Sequence, residues 1–141
     1  MTQDSTKVSL RRGDIYIINL GCDSKGRVIN RPVLVIQNDL GNRFCNSVIV
    51  VPLIPSDSVK KLLFSITIKA NFVTGLMSEH EAIFSHIRTV DKSWFLNDCY
   101  LGRLNEEDRK KMDKAIELSL GLSTIQKLQD RRKYIEQRNL V

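Results

Sequence analysis

The sequence is poor in the residues that build covalent frames and metal centres. Cys22, Cys45 and Cys99 are the three cysteines in 141 residues. They are odd in number, widely spaced and without a C-x-x-C pair, which argues against a disulfide framework and against a zinc site. Histidine is limited to His80 and His86, and no H-E-x-x-H occurs. No glycine-rich phosphate loop and no G-x-G-x-x-G after a strand is present, so the usual nucleotide and cofactor signatures are missing. We therefore expect no metal and no cofactor, and any chemistry has to rest on Arg, Ser, Thr, His or carboxylate side chains. Long apolar runs are missing too. The longest, VIVVPLIP at 48–55, falls far short of the roughly 20 residues that a membrane-spanning helix requires. The polar opening MTQDSTKVSLRRGD has no apolar h-region, so no secretory signal and no membrane association are expected, and the cytoplasm is the expected location.

What is present is an ordinary globular composition, 42% hydrophobic and 27% charged, in a chain of a length that suits one core. We read a single domain over 1–141, with a polar leader at 1–10. Acidic residues are outnumbered, 16 against 22 basic ones, for a net charge of +6. The basic excess begins early, with Lys7, Arg11, Arg12, Lys25, Arg27 and Arg31. Such a balance favours polyanionic partners, nucleic acid or an acidic protein.

Strand signals dominate the first two thirds. DIYIINL (14–20) is bounded by glycines, and GCDSKGRVIN (21–30) reads as a polar loop. PVLVIQ (32–37) and SVIVVPL (47–53) are β-branched runs separated by turn chemistry at 38–46. FSITIK (64–69) alternates, and AIFSHI (82–87) is a fifth strand. Helix comes late. Asn105 is a good N-cap, Glu106, Glu107 and Asp108 suit the positive end of the helix dipole, and Met112, Ala115, Ile116, Ser119 and Leu120 share one face. Residues 123–141 suggest a helical extension. A run of strands followed by helix implies an α+β, mainly β fold or small barrel.

The central hairpin gives a geometric expectation. With 32–37 and 47–53 antiparallel about a turn near 41–43, Arg31 lies opposite residues 52–56, in PLIPS. Arg31, Arg27 and Lys25, with the hydroxyls of Ser56 and Ser58, then form a candidate phosphate site, because the guanidinium fork matches phosphate oxygens. A plain surface arginine satisfies the same pattern.

RRGDIYIINL, RPVLVIQNDLGN, SVIVVPL, HIRTVDKSW and LNEEDRKKMDKAIELSLGL occur in the order and near the spacing of the MazF/PemK toxins of toxin–antitoxin pairs. The chain resembles that family over about residues 11–122. The resemblance implies a small SH3-like β-barrel with a C-terminal helix, shared with the CcdB topoisomerase poisons, from which the RPVLVIQND match separates it. It also implies a homodimer and a sequence-specific, metal-independent endoribonuclease acting on single-stranded RNA. An acidic, MazE-like antitoxin would neutralise it, and contact with DNA would be indirect, through the antitoxin.

By the same resemblance Arg31 is the catalytic cation of the R-P-V motif. The threonine that active members carry after the VVP strand is here Ile54, followed by Pro55. Ser56, Ser58 or His86 are the candidate replacements, since Ser85 stands where some members have an acid. Lys25, Arg27, Arg31 and Arg88 are the candidate RNA contacts. Arg88, Thr89 and Asp91 read as a strand end held by a turn, and Trp94 and Phe95 as core or dimer residues. With isoleucine at 54, an alternative is a catalytically weak member that binds RNA or an antitoxin. The loop 21–30 departs from family wording, so no cleavage sequence is inferred.

Overall fold

The computed structural model describes residues 8–122. Seven strands and two helices follow in the order β1 (Asp14–Cys22), β2 (Val28–Val35), α1 (Asp39–Phe44), β3 (Ser47–Pro55), β4 (Ser65–Ile68), β5 (His80–Ile83), β6 (Arg88–Asp91), β7 (Tyr100–Arg103) and α2 (Glu106–Ser119). Three 3-10 turns lie at Ser56–Ser58, Lys92–Trp94 and Asn97–Cys99. The sheet order is β4-β5-β3-β2-β1-β7, with β6 also on β3, and every pairing is antiparallel. The fold is α+β and mainly β, a curled half-barrel with a C-terminal helix, as the resemblance implies.

The curl originates in β3. Its first half, Ser47–Val50, pairs with β6, while Leu53–Pro55 pairs with β5. One strand thus feeds two directions of sheet. The continuous apolar runs of β2 and β3 suit this position, because both faces are covered. On one face Leu34, Val51, Leu53, Phe84 and Met112 form a core with α2, and on the other Tyr16, Ile18, Val33, Val50, Val90 and Phe95 form a second.

Helix α2 begins where expected. The Asn105 Oδ1 accepts the Asp108 N–H at 2.7 Å, and Met112 and Ala115 are buried. Ser119 belongs to the inner face through its hydroxyl, which donates to the Phe84 carbonyl at 2.7 Å. Leu120, expected on that face, is exposed.

Several boundaries differ from the sequence reading. The stretch 82–87 is not one strand: β5 ends at Ile83, and the His86 N–H donates to the Ile83 carbonyl at 2.9 Å in a turn that leads into β6. The loop 21–30 is a tight hairpin, because the Asp23 Oδ1 accepts the Lys25 and Arg27 N–H groups at 2.8 and 2.9 Å. The turn at 38–46 holds α1, capped by the Asn38 Oδ1, which accepts the Gly41 N–H at 2.7 Å. Strand β7 was not anticipated. It runs so close to the loop before β5 that a Cβ on Gly75, where φ is +70°, would sit 1.9 Å from the Leu101 carbonyl oxygen. Of the polar leader, Leu10 is buried. The expected extension 123–141 lies outside the described residues.

Candidate functional site

The hairpin register places Arg31 almost as predicted. Val33 lies opposite Pro52 and Val35 opposite Val50, so continuing the ladder by two residues brings Arg31 beside Ile54. A neighbouring pair supports the same face: Ile18 on β1 is opposite Arg31. On the far side, Ile54 is opposite Glu81 of β5, and Glu81 is opposite Thr67 of β4. Directly opposed residues of antiparallel strands point to one face. Ile18, Arg31, Ile54, Glu81 and Thr67 therefore form a row across five strands.

The connection between β5 and β6 completes the site. Ala82 pairs with Leu53 and Arg88 with Val50, so residues 84–87 bridge the point where β3 changes partners. His86 is carried there on an exposed turn, not within a strand. Arg31, Pro52, Ile54, His86, Ile87 and Arg88, with Leu20 and Ile29 from the β1–β2 hairpin, line an open cavity of about 380 Å³. Two guanidinium groups and one imidazole share this cleft, and no carboxylate lines it. The side chains of Arg31 and Arg88 make no hydrogen bond or ion pair among the described residues. Like charges held together without an acidic partner attract a polyanion, and phosphate fits the guanidinium forks.

The remaining predicted residues are placed elsewhere. Ser56 is in the 3-10 turn after β3 and lines a separate cavity with Pro55, Asp57, Lys61, Ser78 and Glu79. Ser58 is exposed, and its hydroxyl donates to the Asp57 Oδ1 at 3.4 Å. Neither serine lines the Arg31 cleft. Pro55 ends β3, and the 3-10 turn that carries both serines follows it directly. Lys25 and Arg27 are on the exposed tip of the β1–β2 hairpin, also outside the cleft. The Arg27 Nε is ion-paired with the Asp23 Oδ2 at 2.8 Å, and the hydrogen bonds from Arg27 and Lys25 lower the Asp23 pKa.

The landmarks after β6 divide in function. Asp91 closes a turn, its Oδ1 accepting the Ser93 N–H at 2.8 Å, and hydrogen bonds from Ser93 hold its pKa below the ordinary value. Phe95 is core, edge-on to Tyr16 with ring centroids 5.3 Å apart. Trp94 is not: it is 42% exposed.

Glu81 is a feature the sequence reading did not single out. It is 1% exposed, and its two carboxylate oxygens accept from the Ser65 hydroxyl at 3.1 Å and the Thr67 hydroxyl at 2.9 Å. Its signal in EHEAIF was a carboxylate set directly against an apolar run. Among the described residues no three His, Cys, Asp or Glu side chains form a group that could hold a metal.

A family model for PemK-like, MazF-like toxins of type II toxin–antitoxin systems matches residues 11–120. The chain belongs to this toxin family. Its sequence is 34% identical over 116 residues to Endoribonuclease EndoA of Bacillus subtilis, covering 80% of this chain and 96% of that protein. It is 32% identical over 120 residues to Endoribonuclease MazF of Staphylococcus saprophyticus, covering 82% and 95%. A solved mycobacterial endoribonuclease in complex with its cognate antitoxin has the same fold, with TM-score 0.64 and 24% identity over 81% of this chain and 97% of that one. Within this PemK/MazF toxin, no helix among the described residues is long and apolar enough to cross a membrane.

Proposed function

We propose that this PemK/MazF toxin is an endoribonuclease that cleaves single-stranded RNA in the Arg31 cleft, independently of metal, and is inhibited by a cognate acidic antitoxin. The observation that carries the proposal is the pairing of Arg31 and Arg88 in one cleft without a carboxylate. The endoribonuclease names of its relatives support it.

In this reading a phosphodiester lies across the cleft with its oxygens on Arg31. The 2′-oxygen attacks phosphorus, the P–O5′ bond breaks, and a cyclic phosphate and a 5′-hydroxyl result. Charge builds on the phosphorane oxygens in the transition state, where a pre-positioned guanidinium has its largest effect. Arginine is a poor base because its pKa exceeds about 12. Imidazole is the side chain suited to exchanging protons near neutral pH, and His86 is the imidazole in the cleft. His86 takes the 2′-hydroxyl proton, Arg31 steadies the charge on the departing 5′-oxygen, and water from the open cleft gives that oxygen the proton that makes it the 5′-hydroxyl. Ser56 and Ser58 have no part in this arrangement. A groove formed by two copies of the chain would extend the cleft, as the family resemblance implies.

A specific observation favours a second reading. Ile54 occupies the cleft wall where the family resemblance implies a threonine. A member without that hydroxyl would bind RNA or an antitoxin and cleave weakly. Incubating the purified protein with long mixed-sequence RNA, with and without EDTA, separates the two. Fragments with cyclic-phosphate and 5′-hydroxyl ends in both lanes are the expected result. Binding without fragments establishes the second reading, and cleavage only without EDTA overturns metal independence.

A further inference from the structure

Five of the eight residues that line the Arg31 cleft are apolar: Leu20, Ile29, Pro52, Ile54 and Ile87. Each is half-buried, so one side packs against the protein while the other stays open to the cavity. A phosphate is strongly hydrated and gains nothing from an aliphatic surface. A nucleobase has flat, weakly hydrated faces, and laying one on such a wall removes apolar area from water on both sides. The wall of the cleft therefore suits a base, next to the phosphate that Arg31 holds.

The polar side chains of the cleft are Arg31, His86 and Arg88. With Arg31 on the phosphate and His86 exchanging the proton, Arg88 is left to meet the base. The register sets the two arginines on one face of the sheet. Val50 is opposite Val35 of β2 and also opposite Arg88 of β6, and Arg31 shares the Val35 face because residues four apart in a strand point the same way. Arg31 stands beside Ile54 and Arg88 beside Val50, so their backbone positions are about 13 Å apart along β3. That spacing leaves room for a nucleoside between the two guanidiniums. Arg88 is exposed, and its side chain is unpaired among the described residues. A guanidinium has five N–H donors and no acceptor, so both arms bind only where two acceptors sit side by side. Guanine presents O6 and N7 in that arrangement, on an edge that single-stranded RNA leaves open. On the same edge adenine puts an amino donor beside N7, and no carboxylate or carboxamide lines the cleft to accept from it.

We propose that Arg88 reads guanine, donating to O6 and N7 of a base that lies on the aliphatic wall beside the phosphate on Arg31. The proposal rests on the RNA reading of that cleft and adds to it a preferred base.

The test follows label anisotropy as the full-length protein binds 5′-labelled 2′-fluoro RNA 9-mers, which lack the attacking hydroxyl and stay intact. All positions are uridine except the central one, which is G, A, C, U or 7-deazaguanine, where C–H replaces N7. The wild type is expected to bind the guanine 9-mer about fivefold to a hundredfold more tightly than those with A, C or U, the range for one bidentate base contact. The 7-deazaguanine 9-mer is expected to lose most of that gain. Arg88→Lys keeps the charge and loses the fork, and is expected to bind all five alike, near the wild-type affinity for the all-uridine 9-mer. Equal wild-type affinity for all five, a preference for another base, or a guanine preference that survives in Arg88→Lys overturns the proposal and leaves the RNA reading standing. An Arg88→Lys protein that weakens every 9-mer by the same factor also overturns it, because that result assigns Arg88 to a phosphate. If the wild type binds none of them, the RNA reading falls as well.

Discussion

Replacing Ile54 by threonine puts a hydroxyl into the cleft wall, between Arg31 on one side and Glu81 on the other. Valine is the shape-matched control, since it differs from threonine by a methyl in place of the hydroxyl. Both variants lose one methylene at a half-buried position, which places the cost near the low end of the Ile→Val range, about 0.5–1 kcal/mol. Against a typical total stability of about 5–15 kcal/mol, both variants stay folded. A threonine hydroxyl donating to the phosphate on Arg31 adds a hydrogen bond to a charged group, worth about 1.5–3 kcal/mol. If that bond strengthens as charge develops, the cleavage rate rises about tenfold to a hundredfold. Initial rates on one labelled RNA, with melting curves as the folding control, give the comparison. The expected order is threonine well above wild type, with valine close to wild type. Equal rates for folded Ile54→Thr and Ile54→Val would refute the idea that position 54 limits the chemistry.

Three other perturbations test separate parts of the structure. Glu81→Ala leaves the Thr67 hydroxyl without its acceptor, leaves the Ser65 hydroxyl only the Leu62 carbonyl and opens a cavity, so denaturant unfolding is expected to report a loss of about 2–4 kcal/mol. Glu81→Gln keeps one acceptor and loses less, and equal losses would contradict the hydrogen-bonded role. Gly75→Ala is expected to lower the melting temperature far more than Gly26→Ala. Both glycines have positive φ, at +70° and +76°, but only at Gly75 does a Cβ meet backbone, whereas at Gly26 it meets open space. Equal shifts would mean that the Leu101 approach does not constrain the chain. Tyr16 gives a pH prediction. Burial, then the charge of Asp14, raises its pKa from 10.0 to about 12. The folded state holds that proton more tightly than the unfolded chain, so its stabilising effect is complete below about pH 10 and is lost as pH rises through about 12. Absorbance titration at the phenolate band, compared with Tyr16→Phe, is expected to lose its latest-titrating phenol in the variant.

Much of this architecture was legible, and what was hidden has physical reasons. The two β-branched runs and the turn chemistry between them located the central hairpin. What they left open was its parity. A slip of one residue exchanges the faces of a strand, and it decides whether Arg31 meets Leu53, which is in the core, or Ile54, which lines the cleft. Strands β6 and β7 have only four residues each. RTVD and YLGR carry too few residues for alternation to stand out, and β3 and β1 recruit them by tertiary pairing. AIFSHI is apolar enough to suggest one strand that includes His86. The Ile83 carbonyl instead accepts its N–H and turns the chain, which delivers the ring to the cleft. Ser56 and Ser58 stand close to Ile54 in sequence, but they follow Pro55 in a 3-10 turn and do not line the cleft. Trp94 and Phe95 are adjacent and alike in type, and only the packing against Tyr16 separates the buried ring from the exposed one.

The central claim is that Arg31 stabilises the transition state of RNA cleavage, and single-turnover cleavage by Arg31→Ala tests it most directly. With enzyme in excess over a labelled RNA and EDTA present, the wild type is expected to yield cyclic-phosphate and 5′-hydroxyl ends. The variant is expected to do so at least about a hundredfold more slowly, with RNA binding reduced by a smaller factor. A folded Arg31→Ala protein that cleaves at the wild-type rate would contradict the account.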